Sequence, residues 1–464
     1  MKHHTFVVIG GGSAGYAAAN TARQFTDDVA IIDNSEELGG LCILKGCMPS
    51  KTLIYMAEVM HLAQHAATFG IEVPEPRPNM KKVHERKVTM IDDFKNYRQK
   101  NLLDTSKFTL YRQRGEFIDA DTFQLDDGTQ ITADHFVVST GSIISSPPVP
   151  GLDSVPQLLS DHVLDLDNLP ESMIVLGGGI VAAELAQFLN RMGTEVTLIQ
   201  RSEYILKHAG AEAASVVQQA FRDEGIALFT GTKIHAIEEI ADQGIRVSFE
   251  SGGESHAVEA KHLFNALGRV PNSAGLGLDK AGVSVQKNGL IQADPFLVTT
   301  NPKVYAAGDV TGPDAVVHTA VKQGETAALH AFGQTPKPMD YSCPFDVIFT
   351  DPQIGRIGPQ EHELREQGYD VISADYPFDD HGKSILMEAN YGYVKIWADR
   401  KTGKLLAAEC VGKDGGELVH ALSLPVQLGL TLKDIKGIYW YHPTLSEIWE
   451  YPIDDLYDAI YDSE

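Results

Sequence analysis

Thr5-Phe6-Val7-Val8-Ile9-Gly10-Gly11-Gly12-Ser13-Ala14-Gly15 is an apolar run that breaks into a glycine turn. The run predicts a buried strand and the turn has the G-x-G-x-x-G spacing. Tyr16 to Arg23 continues as a helix, and Val29-Ala30-Ile31-Ile32 makes a second strand ending at Asp33. Each part has a physical role in holding a dinucleotide. Gly10 allows the tight turn, Gly12 lets a pyrophosphate approach the backbone, and Gly15 lets helix and strand pack. The helix N-terminus faces the anion, and the Asp33 carboxylate stands where a ribose hydroxyl needs an acceptor.

The pattern occurs twice. Met173-Ile174-Val175-Leu176 leads into Gly177-Gly178-Gly179-Ile180-Val181-Ala182, a helix through Asn190 and the strand Glu195 to Ile199. Between the two units lie a mostly helical region from Leu53 to about Lys107, broken by the proline-rich Val73 to Pro78, and short strand patterns from Phe108 to Ala133. Phe136 to Ser142 closes a strand, and Pro147 to Gly151 marks a linker. Asn265 to Asn272 leaves the second unit, and Val304-Tyr305-Ala306-Ala307-Gly308-Asp309 reads as a return to the first. Beyond Gln334 to Pro338, strands such as Tyr393 to Trp397 and a helix from Glu417 to Leu428 predict a third, α+β unit.

Gly39-Gly40-Leu41-Cys42-Ile43-Leu44-Lys45-Gly46-Cys47-Met48-Pro49-Ser50-Lys51 carries two cysteines five positions apart, leading into a helix from Thr52. In a regular helix that spacing separates them by roughly 7.5 Å along the axis and puts them on different faces. A bond between them needs a distorted helical start, which Gly46 permits. Near a helix N-terminus both sulfurs are expected to react near neutral pH. A structural disulfide, half of a metal site and two core thiols are the other readings. The remaining cysteines are Cys343 and Cys410, too few for a secreted disulfide scaffold or a second zinc-binding pair. Two nucleotide units beside a cysteine pair point to electron exchange between dinucleotides and a disulfide.

With 464 residues the chain exceeds one ordinary core. Its hydrophobic content of 43% suits a globular protein, and no apolar run approaches a membrane span. Met1-Lys2-His3-His4 passes straight into the first strand without a signal-peptide pattern, so a cytoplasmic location and no membrane insertion are expected. A net charge of -25 argues against a nucleic-acid or anionic-membrane partner. No metal site is predicted.

The ordered motifs Gly10 to Gly15, Cys42 to Lys51, Ser139-Thr140-Gly141, Gly177 to Glu184, Gly268 to Asn272, Gly308-Asp309 and His442-Pro443-Thr444-Leu445-Ser446-Glu447 resemble the class I, flavin-dependent pyridine nucleotide-disulfide oxidoreductases. Pro49-Ser50-Lys51, Val317-His318-Thr319-Ala320 and the His442 to Glu447 motif are most like the dihydrolipoyl dehydrogenase branch. The resemblance implies an α/β fold with two Rossmann-like dinucleotide-binding domains plus a C-terminal α+β dimerisation domain. Its expected division is 1–147 and 269–338 for FAD, 148–268 for NAD(P), and 339–464 for dimerisation.

The resemblance also implies the roles. FAD is held through Gly10, Gly12, Gly15, Asp33, Lys51, Thr140, Gly141 and Asp309, and NAD or NADP through Gly177, Gly179, Ala182, Gln200, Arg201, Lys207 and Gly268. Cys47 is the charge-transfer thiol nearer the flavin and Cys42 the thiol that exchanges with a disulfide or dithiol substrate, a lipoyl group above all. His442, supported by Glu447, is the base and acts across a homodimer. Lys51 pairs with Glu184 beside the flavin, or the two are a plain inter-domain ion pair. Departures bear on the substrate: Leu41 and Ile43-Leu44-Lys45 replace a threonine and small or polar residues, bringing Lys45 near the redox centre. Asp33 stands for a frequent glutamate, and Trp440-Tyr441 precede His442 in place of a small residue and a second histidine. No cysteine follows Cys410, unlike a typical mercuric reductase, whose C-terminal tail carries a pair. Gln200, Arg201 and Lys207 replace the acidic residue of NAD-linked members and favour NADPH. An NADPH-dependent disulfide or metal-ion reductase of the glutathione or mercuric reductase kind, and a slow-turnover redox-sensing flavoprotein, are the alternatives.

Overall fold

A computed structural model of the chain describes residues 1–241, 244–312 and 314–462. The first apolar run is strand β1 (Lys2–Ile9), followed by helix α1 (Ser13–Ala22) and β2 (Val29–Ile32). The cysteine segment forms two helices, α2 (Leu41–Leu44) and α3 (Cys47–Gln64), and α4 (Met80–Leu102) packs beside them. Then come β3 (Thr109–Tyr111), β4 (Gly115–Phe117), β5 (Thr122–Leu125) and β6 (Gln130–Val138). Together they make a sheet of order β3-β2-β1-β6-β5-β4. β1 is parallel to β2 and β6, with Val7, Val8 and Ile9 opposite Phe136, Val137 and Val138. These strands are buried on both faces, which is why they read as continuous apolar runs.

The second unit begins after β7 (Ser142–Ile144) and α5 (Ser160–Leu164) with β8 (Ser172–Leu176), α6 (Ile180–Met192), β9 (Glu195–Ile199), α7 (Ala211–Asp223) and β10 (Ala227–Phe229). An antiparallel meander of β11 (Lys233–Ile240), β12 (Gly244–Ser251) and β13 (Glu254–Ala260) covers it before β14 (His262–Asn265) completes the parallel order β10-β9-β8-β14. The chain comes back through β15 (Arg269–Pro271), which pairs with β7. Next, β16 (Val304–Ala306) lies parallel to β6, the expected return to the first sheet, and α8 (Val317–Ala331) packs on α1. Gly324 makes that packing close, since a Cβ there would meet Ala14 O at 2.1 Å.

The third unit is an antiparallel sheet of β17 (Phe345–Ile348), β18 (Gln353–Ile357), β19 (Val371–Pro377), β20 (Tyr393–Asp399) and β21 (Leu405–Gly412), in the order β17-β18-β21-β20-β19. Helix α9 (Glu361–Glu366) follows β18, and α10 (Gly382–Leu386) follows β19. After β21, α11 (Gly415–Leu418), α12 (His420–Leu428), α13 (Leu432–Ile435) and α14 (Glu450–Tyr461) complete the unit. Its core centres on Phe378, Trp449 and Ile453. The single helix expected from Glu417 is in fact two, separated at Val419. Among the described residues, no helix is long and apolar enough to cross a membrane.

Candidate active site

The first glycine turn has the conformation its spacing predicts. Gly10 has φ +101°, and a Cβ on it would lie 2.5 Å from Ser139 O, so the turn is seated against the end of β6. Gly15 serves packing, since a Cβ there would lie 1.9 Å from Gly10 O. Asp33 accepts from the Gly11 N–H at 2.7 Å and the Ser35 N–H at 2.8 Å, which fixes its carboxylate beside the turn. A cavity of about 860 Å³ joins this turn and Asp33 to Cys42, Cys47, Thr140, Gly141 and Asp309. That volume suits a dinucleotide-sized ligand, given that ligand pockets span roughly 300–1,000 Å³.

The redox segment closes one wall of the cavity. Gly40 (φ +79°) brings it against the turn, where a Cβ would lie 2.6 Å from Gly12 Cα. The predicted break in the helix falls at Lys45 and Gly46: α2 ends with Lys45 N–H bonded to Leu41 O, and α3 restarts with Ser50 N–H bonded to Gly46 O. Helix α3 thus begins at Cys47, five residues earlier than the expected start at Thr52. A side chain at Gly46 would meet Leu41 O at 2.9 Å.

Cys42 and Cys47 are brought together across this break, and as thiols they share a hydrogen bond. In the reduced pair the two sulfurs differ in proton affinity. Cys47, receiving that bond, is lowered to about 7 against the cost of burial, helped by the Lys51 charge. Cys42, holding the proton, is raised by the same bond and by burial. One thiolate per pair is the stable arrangement, on Cys47. Lys45 does not provide the local charge: it is exposed and pairs with Asp161 at 3.2 Å. The cations acting on the sulfurs are Lys51 on Cys47 and Arg98, stacked 3.9 Å over the Tyr16 ring, on Cys42.

Lys51 donates to Glu184 Oε2 at 2.7 Å, joining α3 to α6 as expected. Sequence reasoning missed Phe349, whose N–H donates to the other Glu184 oxygen at 3.0 Å and whose ring lies 4.6 Å from Lys51 Nζ. One helical turn on, Gln187 exchanges two 2.7 Å bonds with the Asp351 backbone. Arg191 binds Asp351 at 2.9 Å and Glu224 at 2.6 Å, and Lys413 of the third unit pairs with Glu58 of α3. The spacing of Glu184, Gln187 and Arg191 marks one helix face, but their distant partners have no local signal.

Thr140 and Asp309 hold the crossing between units. The Thr140 hydroxyl donates to Asn272 O at 2.7 Å, and Asp309 accepts from Ser142 Oγ at 2.7 Å, with Arg269 donating to the same serine at 2.9 Å. Gly141 and Gly268 have positive φ with no heavy atom near a would-be Cβ, leaving backbone open to a ligand. In the second glycine turn, Gly177 (φ +114°) abuts Ala266 O, Gly179 opens α6, and Ala182 is fully buried, so its role is packing. Gln200 is folded onto its own loop, accepting from the Arg201 N–H at 3.2 Å. Arg201 and Lys207 are exposed, and among the described residues neither has an ion-pair partner.

In the third unit His442 Nδ1 lies 3.1 Å from both oxygens of Glu447. The carboxylate side chain is only 9% exposed whereas the imidazole is 79% exposed, so Nε2 faces outward. Residues 4–324 match the pyridine nucleotide-disulphide oxidoreductase family, and residues 345–452 match its dimerisation domain. The chain belongs to the pyridine nucleotide-disulphide oxidoreductases.

Members of this family are FAD-dependent and use NAD(P)H, and the dimerisation domain supports a homodimer. The glycine turn, the Asp33 position and the connected cavity fit FAD. The chain is 33% identical to a dihydrolipoyl dehydrogenase of Chlamydia pneumoniae, covering 96% of this chain and 95% of that protein. It is also 33% identical to a mercuric reductase of Bacillus cereus, covering 96% of this chain and 70% of that protein. Among solved structures it is similar to LpdA from Mycobacterium tuberculosis, with a TM-score of 0.85 and 27% identity over 97% of this chain and 99% of that one. The family and the redox chemistry are therefore shared with relatives of two activities at equal identity.

Proposed function

We propose that this oxidoreductase is a dihydrolipoyl dehydrogenase-like enzyme that oxidises a small dithiol, a lipoyl group above all, with NAD(P) as the terminal acceptor. The observation that carries this reading is the His442–Glu447 pair, an exposed imidazole backed by a buried carboxylate. A thiol is a poor nucleophile until it loses its proton, and this pair is built to take one. The domain division proposed is 1–147 with 269–338 for FAD, 148–268 for the nicotinamide, and 339–464 for dimerisation.

Bound FAD supplies the two-electron exchange between the cysteine pair and the nicotinamide. Gly10, Gly12 and Asp33 would hold it, with Lys51 providing a fixed positive charge kept in place by Glu184. His442 of one subunit serves the cysteine pair of its partner. It accepts a proton from the first substrate thiol, whose thiolate attacks Cys42 Sγ. The Cys42–Cys47 bond breaks and Cys47 leaves as a thiolate. The second substrate thiol then attacks the mixed disulfide, releasing substrate disulfide and leaving Cys42 protonated. Two electrons reach the enzyme, and the two protons are held on His442 and Cys42.

Steady-state assays with lipoamide, glutathione disulfide and mercuric ion, each with both coenzymes, test the reading. Preference for lipoamide supports it. Preference for glutathione disulfide or mercuric ion moves the protein to the reductases, and no disulfide-dependent turnover makes it a redox-sensing flavoprotein.

A second reading concerns the coenzyme. Exposed Arg201 and Lys207, with no acidic residue at position 200, favour acceptance of the NADPH 2′-phosphate. In Gln200→Glu/Arg201→Phe, kcat/KM is expected to shift toward NADH by about one to two decades, or roughly 1.4 to 2.8 kcal/mol. A wild type blind to NADPH refutes it.

A further inference from the structure

We propose that His381 is a positioning residue for the acid/base pair, holding the Glu447 carboxylate from behind so that it presents both oxygens to His442. The inference rests on the dyad reading above and extends it to a third, buried member.

His381 lies where the chain leaves β19 and enters α10, and its ring is 0% exposed. Burying an imidazole is costly unless its nitrogens are satisfied. Nδ1 lies 2.8 Å from Ser384 Oγ, itself fully buried. Nε2 has no hydrogen-bond partner of good geometry, and Glu447 Oε1 stands 3.4 Å away. This arrangement selects a tautomer: Ser384 Oγ–H donates to Nδ1, and the ring proton sits on Nε2, toward the carboxylate.

The groups facing the ring support a neutral donor. From the C-terminal segment come Glu447 and, beyond it, His442; from α14 the Tyr451 ring lies edge-on at 6.4 Å. Tyr451 stacks at 3.9 Å on Tyr376 of β19, whose hydroxyl occupies the Asp380 carboxylate at 3.0 Å. Burial pushes the His381 imidazole below its ordinary range, with Glu447 opposing. A neutral His381 leaves the carboxylate charge available to His442. Ser384, His381, Glu447 and His442 thus form a chain running from the core of the third unit to its exposed face.

The test uses the full-length FAD-replete dimer and compares His381→Leu, His381→Gln and Glu447→Gln. Two rates are followed across pH: oxidation of dihydrolipoamide, and reduction of ferricyanide by reduced nicotinamide, which bypasses the dyad. In His381→Leu, dithiol oxidation is expected to fall about tenfold relative to the ferricyanide rate. The pH profile of dithiol oxidation changes from that of wild type, while the profile of ferricyanide reduction does not. His381→Gln, which keeps an N–H donor near the Nε2 position, recovers most of the rate. If Glu447→Gln slows dithiol oxidation while His381→Leu matches wild type, the inference fails and the dyad stands. If Glu447→Gln has no effect, the dyad reading itself fails and takes the inference with it. An equal loss of both rates in His381→Leu makes the side chain a structural element only and also overturns the proposal.

Discussion

Cys42 and Cys47 differ in proton affinity although both lie at helix starts. The hydrogen bond between them creates the difference: the acceptor sulfur gains stability as a thiolate and the donor loses acidity. A thiolate close to the flavin gives the reduced enzyme a long-wavelength absorbance band. That band should strengthen as pH rises through about 7, since a lowered thiol is anionic above its pKa and protonated below it. Cys42→Ser should retain the band and Cys47→Ser lose it on partial anaerobic reduction. An unchanged band in Cys47→Ser means the two sulfurs have been assigned the wrong way round. The spacing of the pair and the need for a glycine between them are legible in the sequence. The direction of the proton is not, because it depends on Lys51, Arg98 and burial, which arrive from other elements.

Helix α3 owes its position to two glycines that precede it. Gly46 ends one helical segment so that another can begin, and Gly40 holds the redox segment on the phosphate-binding turn. Gly40→Ala combines strain at φ +79° with a 2.6 Å approach to Gly12 Cα, so the two loops must separate. Flavin retention after gel filtration, read as the absorbance ratio of flavin to protein, should drop well below the wild-type ratio while far-UV circular dichroism stays similar. Full retention means the loop contact is dispensable for the cofactor. Strands and glycine turns were readable from local pattern, because both nucleotide units repeat one apolar-glycine-helix signature. Phe349 and His381 were not readable. Phe349 acts on Glu184, 165 positions away, and His381 stands against Glu447 of another element, and neither lies in a motif.

Across the whole molecule, the site needs two chains if His442 serves the partner's cysteine pair. Mixing Cys42→Ser subunits with His442→Ala subunits should then restore activity, because one of the two sites in a mixed dimer has both groups intact. Native mass spectrometry verifies the exchange. No recovery after verified exchange means that His442 acts within its own chain or not at all.

The pairing of β16 with β6 has a consequence for how the chain is made. Residues 136–138 of β6 lack this neighbour until 304–306 have been synthesised, while the β8, β9, β10 and β14 sheet between them needs nothing beyond Asn265. On the ribosome, the inserted unit can therefore close while its host sheet is still open along one flank. Stalled nascent chains long enough for Asn265, but not Ala306, to clear the exit tunnel should protect the inserted unit from protease and leave β6 susceptible. Protection of β6 should appear only in chains long enough for Ala306 to clear the exit tunnel.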